Sequence, residues 1–209
     1  MKYCVILAGG DAGNIKKLAV ENFRRNGIII AADRGYKLAE ELEIIPDVFV
    51  GDFDSFDGDI PESVEVHRSK PEKDDTDTML AVKLAIEKGC TNILLLGGMG
   101  GRFDHTFANI QTLVYACENG CRMSMCDNGN FVTALGKGVH NFTASESGYF
   151  SLFAVSDELD IEYMRGTKYP LENYTLKNSF PLGVSNEITD GKAVISIRSG
   201  KALLIWSEK

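Results

Sequence analysis

The chain has 209 residues, 44% hydrophobic and 25% charged, a globular mix with enough apolar surface to build a core, which excludes a disordered chain. Its 22 Lys and Arg against 30 Asp and Glu leave a net charge of −8. Nucleic acid and anionic membranes therefore meet a repulsive long-range field, and a phosphate substrate needs a metal ion or a local basic cluster.

Residues 1–127 alternate apolar runs with helical periodicity, the pattern of parallel α/β structure. Tyr3 to Ala8 reads as a buried strand ending at Gly9-Gly10-Asp11, too short an apolar run for a signal peptide. Ile15, Leu18, Ala19 and Phe23 recur at helical spacing up to Gly27. Ile28 to Ala32 is a second strand, closed by Asp33-Arg34-Gly35, and Leu38, Ala39 and Leu42 mark a helix stopped by Pro46. Val48 to Val50 lead into Gly51-Asp52-Phe53-Asp54-Ser55, and Val64 to Val66 form a short strand. A helix runs from near Asp75 to Gly89, then Ile93 to Leu96 form a strand that ends in Gly97-Gly98-Met99-Gly100-Gly101. The next helix carries Phe107, Ile110, Leu113, Val114 and Cys117.

The pattern changes at Asp127-Asn128-Gly129-Asn130. Beyond it lie short alternating runs: Phe131–Leu135, Tyr149–Val155, Ile161–Met164, Tyr174–Leu176, Ala193–Ile197 and Ala202–Trp206. The expected fold is α/β: an N-terminal parallel-sheet, Rossmann-like domain over 1–127, followed by a small C-terminal all-β sandwich domain over 128–209. No stretch approaches the roughly 20 apolar residues of a membrane span. The five cysteines form no CxxC pair and read as reduced thiols, which points to the cytoplasm.

Open parallel sheets bind ligands at the carboxyl ends of their strands, where this sequence concentrates glycine and aspartate. Asp52 and Asp54 share one face of an extended segment, and Asp74, Asp75 and Asp77 open a helix. Asp74 or Asp75 can be a simple helix cap. Five clustered carboxylates repel one another unless a cation lies between them, and hard oxygen donors suit Mg²⁺. The glycine run 97–101 offers backbone N–H groups to an anion, although it fits neither a Walker loop nor GxGxxG. Arg102 is either a phosphate ligand or half of a surface ion pair with Asp104, and His105 is either a base or structural. His67 and His140 read as structural.

GDFDS at 51–55, KDDTD at 73–77 and GGMGGRFDH at 97–105, in this order, resemble the thiamine pyrophosphokinase family. GTKYPL at 166–171, GVSNE at 183–187 and LLIW at 203–206 are similar to that family's C-terminal part. The resemblance implies an enzyme that moves the terminal diphosphate of ATP to the hydroxyethyl oxygen of thiamine, giving thiamine diphosphate and AMP. It implies an ATP- and Mg²⁺-binding catalytic domain before a thiamine-binding, dimerising one. Asp52, Asp54 and Asp77 match magnesium-binding aspartates. Asp33, Asp74, Thr76, Gly98, Gly100 and Arg102 match the ATP-binding positions, and Arg102 and Asp104 join the three aspartates as catalytic candidates. Ser185, Asn186 and Trp206 match thiamine contacts, with a plain turn as the other reading of Ser185-Asn186 and a core plug as the other reading of Trp206. The family implies a homodimer with a site shared between subunits.

Two other readings stay open. Asp52-Phe53-Asp54 is formally a DxD motif, as in Mg²⁺-dependent nucleotide-sugar transferases, and a non-catalytic nucleotide or vitamin sensor would bind without turnover.

Overall fold

The computed structural model describes residues 2–13, 20, 22, 24, 27–52, 59–68, 74–127, 129–143, 148–189 and 191–208. The chain divides into two compact units, 1–128 and 129–209. The expected helix markers Ile15, Leu18, Ala19 and Phe23 lie outside the described residues, while Val20, Asn22 and Arg24 are helical.

In the first unit the strands are β1 (Tyr3–Leu7), β2 (Gly27–Ala32), β3 (Val48–Gly51), β4 (Glu65–Arg68), β5 (Asn92–Leu96) and β6 (Arg122–Cys126). Its helices are α1 (Gly35–Glu41), α2 (Asp77–Glu87) and α3 (Phe103–Glu118). The strands are parallel in the order β4-β3-β2-β1-β5-β6. β1 is central, and Cys4 to Leu7 are fully buried on both faces, so the run is continuously apolar rather than alternating. Val5, Leu7, Ile29 and Leu96 pack against Ala39 of α1 on one face. Leu95 points to the other face, where α3 lies and α2 packs against α3.

The strand β6 has no counterpart among the runs expected from sequence. Its segment RMSMC does alternate, with Met123 and Met125 buried, but Met, Ser and Cys lack the β-branched signal that marks a strand. Chain reversal from β1 to β5 puts a topological switch point between those two strands. Loops from both meet there: Gly10 N donates to Gly97 O at 2.9 Å, and Ala8 N to Leu96 O at 2.8 Å. A Cβ on Gly97, whose φ is +68°, would lie 2.5 Å from Ala8 O, so only glycine fits this approach.

The second unit holds β7 (Asn130–Leu135), β8 (Gly138–Thr143), β9 (Gly148–Ala154), β10 (Glu158–Arg165), β11 (Leu171–Lys177), β12 (Lys192–Ser199) and β13 (Ala202–Glu208). β13 pairs antiparallel with β7 and β9, and β11-β10-β12-β8 form a four-stranded antiparallel sheet. Leu135, Phe150, Leu152 and Leu204 from the first set share one core with Leu159, Ile161, Leu176, Ile195 and Ile197 from the second. Strand β8, GVHNFT, was not expected, because its inward residues are only half-buried and the alternation is faint. His140 Nε2 donates to Gly136 O at 2.8 Å, a local structural bond.

All five cysteines are free thiols. Among the described residues no helix is long and apolar enough to cross a membrane.

Candidate active site

The carboxyl ends of β1, β2 and β5 and the N-termini of α2 and α3 surround a cleft of about 630 Å³. Its lining includes Gly9, Gly10, Asp33, Arg34, Thr76, Asp77, Gly98, Gly100, Arg102 and Asn109. The sequence candidates that meet here are Asp33, Thr76, Asp77, Gly98, Gly100, Arg102 and His105. Asp52, Asp74 and Asp104 are not among its described lining residues, and Asp54 and Lys73 lie outside the described residues.

Asp33 closes β2 in a left-handed conformation, φ +48°, that a non-glycine residue adopts only under constraint. The constraint is visible: Asp33 N donates to Val50 O at 2.8 Å, and Asp33 O accepts from Tyr36 N at 3.1 Å, which starts α1. Its Oδ1 is buried with no hydrogen-bond partner among the described residues. A buried carboxylate oxygen without a donor costs on the order of 1–3 kcal/mol, which makes Asp33 a candidate ligand contact.

The helix cap expected at Asp74 or Asp75 is Thr76, whose Oγ1 accepts from Met79 N at 3.1 Å. Asp77 occupies the first turn, where a carboxylate is favoured by the helix dipole. Asp75 is instead paired with Lys83 Nζ at 2.6 Å, and that hydrogen bond raises the lysine's pKa. The acidic cluster thus splits, with Asp77 at the cleft and Asp75 in a structural ion pair. Among the described residues no group of three or more His, Cys, Asp or Glu is placed to hold a metal ion.

Arg102 and Asp104 form the ion pair that was one of two expectations. Nε and Nη2 of Arg102 donate to the two carboxylate oxygens at 3.1 and 2.5 Å, with the side chains 73% and 63% exposed. The guanidinium holds the Asp104 carboxyl below its ordinary pKa. Sequence reasoning missed Asn109, which is buried on α3 and donates from Nδ2 to Gly98 O at 2.7 Å, pinning the glycine loop. The only signal was its place on the buried face of the helix after that loop.

In the second unit, Ser185 and Asn186 lie in a segment that pairs with β9. Phe150 and Asn186 exchange backbone hydrogen bonds of 2.9 and 2.8 Å, and Ser185 N donates to Ser151 Oγ at 3.1 Å. Ser185 has φ +57°. Asn186 is buried, and its Oδ1 accepts from Tyr169 N at 3.0 Å and Glu187 N at 2.9 Å, while Nδ2 donates to Tyr169 O at 2.9 Å. The amide clamps the 166–169 loop to this segment. Trp206 is half-buried, stands opposite Phe131 and Phe150 on neighbouring strands, and stacks on Phe150 with centroids 5.7 Å apart. It caps the rim of the core and keeps part of its ring exposed.

A glycine-lined cleft at a switch point, joined in sequence to an all-antiparallel second unit, defines an α/β protein with a ligand cleft at the carboxyl ends of its strands. The family model for the thiamin pyrophosphokinase catalytic domain matches residues 20–125, and that for its vitamin B1 binding domain matches residues 139–204. The thiamine pyrophosphokinase of Bacillus subtilis is 30% identical over 213 residues, covering 99% of both chains. The crystal structure of that species' thiamine pyrophosphokinase superposes with a TM-score of 0.89 at 27% identity over the whole of both chains. That from Geobacillus thermodenitrificans gives 0.83 at 26% identity, covering 100% of this chain and 98% of the other. The chain belongs to the thiamin pyrophosphokinase family.

Proposed function

We propose that this chain transfers the terminal diphosphate of ATP to the hydroxyethyl oxygen of thiamine, giving thiamine diphosphate and AMP. The observation that carries the reading is the cleft: Asp33 presents a buried oxygen with no donor among the described residues, beside two helix N-termini and a glycine loop. The strand order, reversing between β1 and β5, supports a Rossmann-like reading with the nucleotide at the switch point. ATP then lies against Asp33, Asp74, Thr76, Gly98, Gly100 and Arg102, its phosphates facing the helix dipoles.

The all-oxygen donor set, with Asp77 in the cleft, fits Mg²⁺ held by Asp52, Asp54 and Asp77. Bound there, the ion neutralises polyphosphate charge. The thiamine hydroxyl attacks the β-phosphorus: its O–P bond forms as the bond from that phosphorus to the oxygen bridging the α-phosphate breaks. AMP leaves with the bridging oxygen, and the hydroxyl proton passes to a cleft carboxylate. Asp104, whose carboxyl Arg102 holds below its ordinary pKa, orients that guanidinium.

Thiamine recognition falls to Ser185, Asn186 and Trp206, with the Asn186 amide also fixing the segment that carries Ser185. An aromatic face suits a cationic thiazolium. The chain works as a homodimer in which both subunits contribute to each site. Exposed Phe180, Leu182 and Val184, next to Ser185, support an interface there. Five free thiols support a cytoplasmic setting.

The test is a product assay with purified protein, ATP, Mg²⁺ and thiamine, resolving AMP, ADP and thiamine phosphates. AMP and thiamine diphosphate, formed only with thiamine and lost with EDTA, are expected. ADP as product, or binding without turnover, would overturn the reading.

A further inference from the structure

We infer that Arg34 is a phosphate-binding residue of the cleft and the main cationic anchor for the polyphosphate in the ground state, an inference that rests on the ATP reading above. Among the described residues lining the cleft, the permanently charged cations are Arg34 and Arg102. Arg102 is already engaged by Asp104 through two hydrogen bonds of 3.1 and 2.5 Å, so an incoming phosphate has to displace or share that carboxylate. The Arg34 guanidinium makes no hydrogen bond or ion pair with any described residue, and the neighbouring Asp33 Oδ1 is likewise without a partner.

The aim of Arg34 is set by its surroundings. It precedes α1, and Arg34 O accepts from Lys37 N at 3.0 Å in the first turn of that helix. A Cβ on Gly9 would lie 2.5 Å from Arg34 Cβ and 3.5 Å from its Cδ. The aliphatic stem therefore crosses the bare backbone of the β1 loop, which only glycine permits. Ordering the stem this way lowers the entropy lost when the head group binds. A planar guanidinium then meets phosphate oxygens in bidentate fashion, in a cleft whose own carboxylates, Asp33 and Asp77, repel the same anion.

The inference separates two roles. Arg34 supplies binding to the resting polyphosphate, while Arg102, released from Asp104 only by exchange, contributes less to that binding. The experiment is calorimetric titration of ATP and of inorganic pyrophosphate, both in EDTA, into the wild type, Arg34→Gln, Arg34→Lys and Arg102→Gln. Arg34→Gln should weaken both ligands about 10- to 100-fold, the range for a hydrogen bond to a charged group. Arg34→Lys should recover part of the loss, and Arg102→Gln should cost less than Arg34→Gln. Far-ultraviolet circular dichroism and melting checks the fold of each variant, and the exposed Arg34 is expected to leave both unchanged. Wild-type affinity in Arg34→Gln, a larger loss in Arg102→Gln, or a wild type that binds neither ligand would overturn the inference. A wild type that binds ATP and pyrophosphate but forms no thiamine-dependent AMP would sink the proposed reaction alone.

Discussion

Each unit places a polar side chain in a constrained segment beside a strand, and the two are treated oppositely. In the α/β unit, Asp33 has left-handed backbone and a buried oxygen that no described residue satisfies. In the β unit, Asn186 uses its carbonyl oxygen twice and its amide nitrogen once on neighbouring backbone. Its chain neighbour Ser185 has the positive φ there, +57°. The difference separates a polar group left without a described partner from one spent entirely on its own backbone scaffold. On the proposed function, the first is a ligand contact and the second stiffens the segment that carries Ser185.

The comparison breaks most sharply at Asp77. Asp77→Asn should lower turnover at least about 100-fold on the proposed function, since a cleft carboxylate loses its charge while its shape is kept. Steady-state rates alongside a thermal melt decide this, and near-normal activity would remove Asp77 from the site. Asn186→Ala should act on the other side of the contrast. It leaves Tyr169 N, Tyr169 O and Glu187 N without their partner and should cost about 3 kcal/mol in a urea titration. ATP affinity should not move; a loss of ATP binding with unchanged stability would make Asn186 a ligand group.

Most of the fold was legible because its signals are local. Cys4 to Leu7 is an uninterrupted apolar run between turn residues, and Gly97 to Gly101 marks a strand-to-helix turn without any structure. The strands that escaped, β6 and β8, are those built from Met, Ser, Cys, His and Asn, where position in the sheet rather than propensity makes the strand. Residue type, order and the family resemblance singled out Asp33, Thr76, Asp77 and the glycines, which line one cleft. Three-dimensional partnership was not legible. Nothing in KDDTD says that Asp75 reaches eight residues along to Lys83 while Asp77 faces the cleft. Nor does GVSNE say that Asn186 clamps a loop seventeen residues earlier in the chain.

Smaller effects sharpen the same contrast. If the proposed thiamine contact holds, Trp206→Ala should raise the KM for thiamine about tenfold and leave that for ATP nearly unchanged, while the ring's stack on Phe150 is also lost. Trp206→Phe, which keeps an aromatic on the rim, should recover most of the affinity. Equal changes in both KM values would assign Trp206 to the core alone. Asp33→Gly should raise stability by about 1 kcal/mol, since it removes both the left-handed strain and the buried Oδ1 that lacks a donor among the described residues. The same variant should bind ATP more weakly. A destabilised Asp33→Gly protein would show that the carboxylate has a structural partner after all.

The most direct test of the account follows two phosphorus atoms. ATP labelled separately at the β- and γ-phosphorus is incubated with the protein, thiamine and Mg²⁺, and the thiamine product is isolated. Both labels should appear in it, with the α-phosphorus left in AMP. Transfer of the γ label alone, leaving the β label in ADP, would contradict attack at the β-phosphorus.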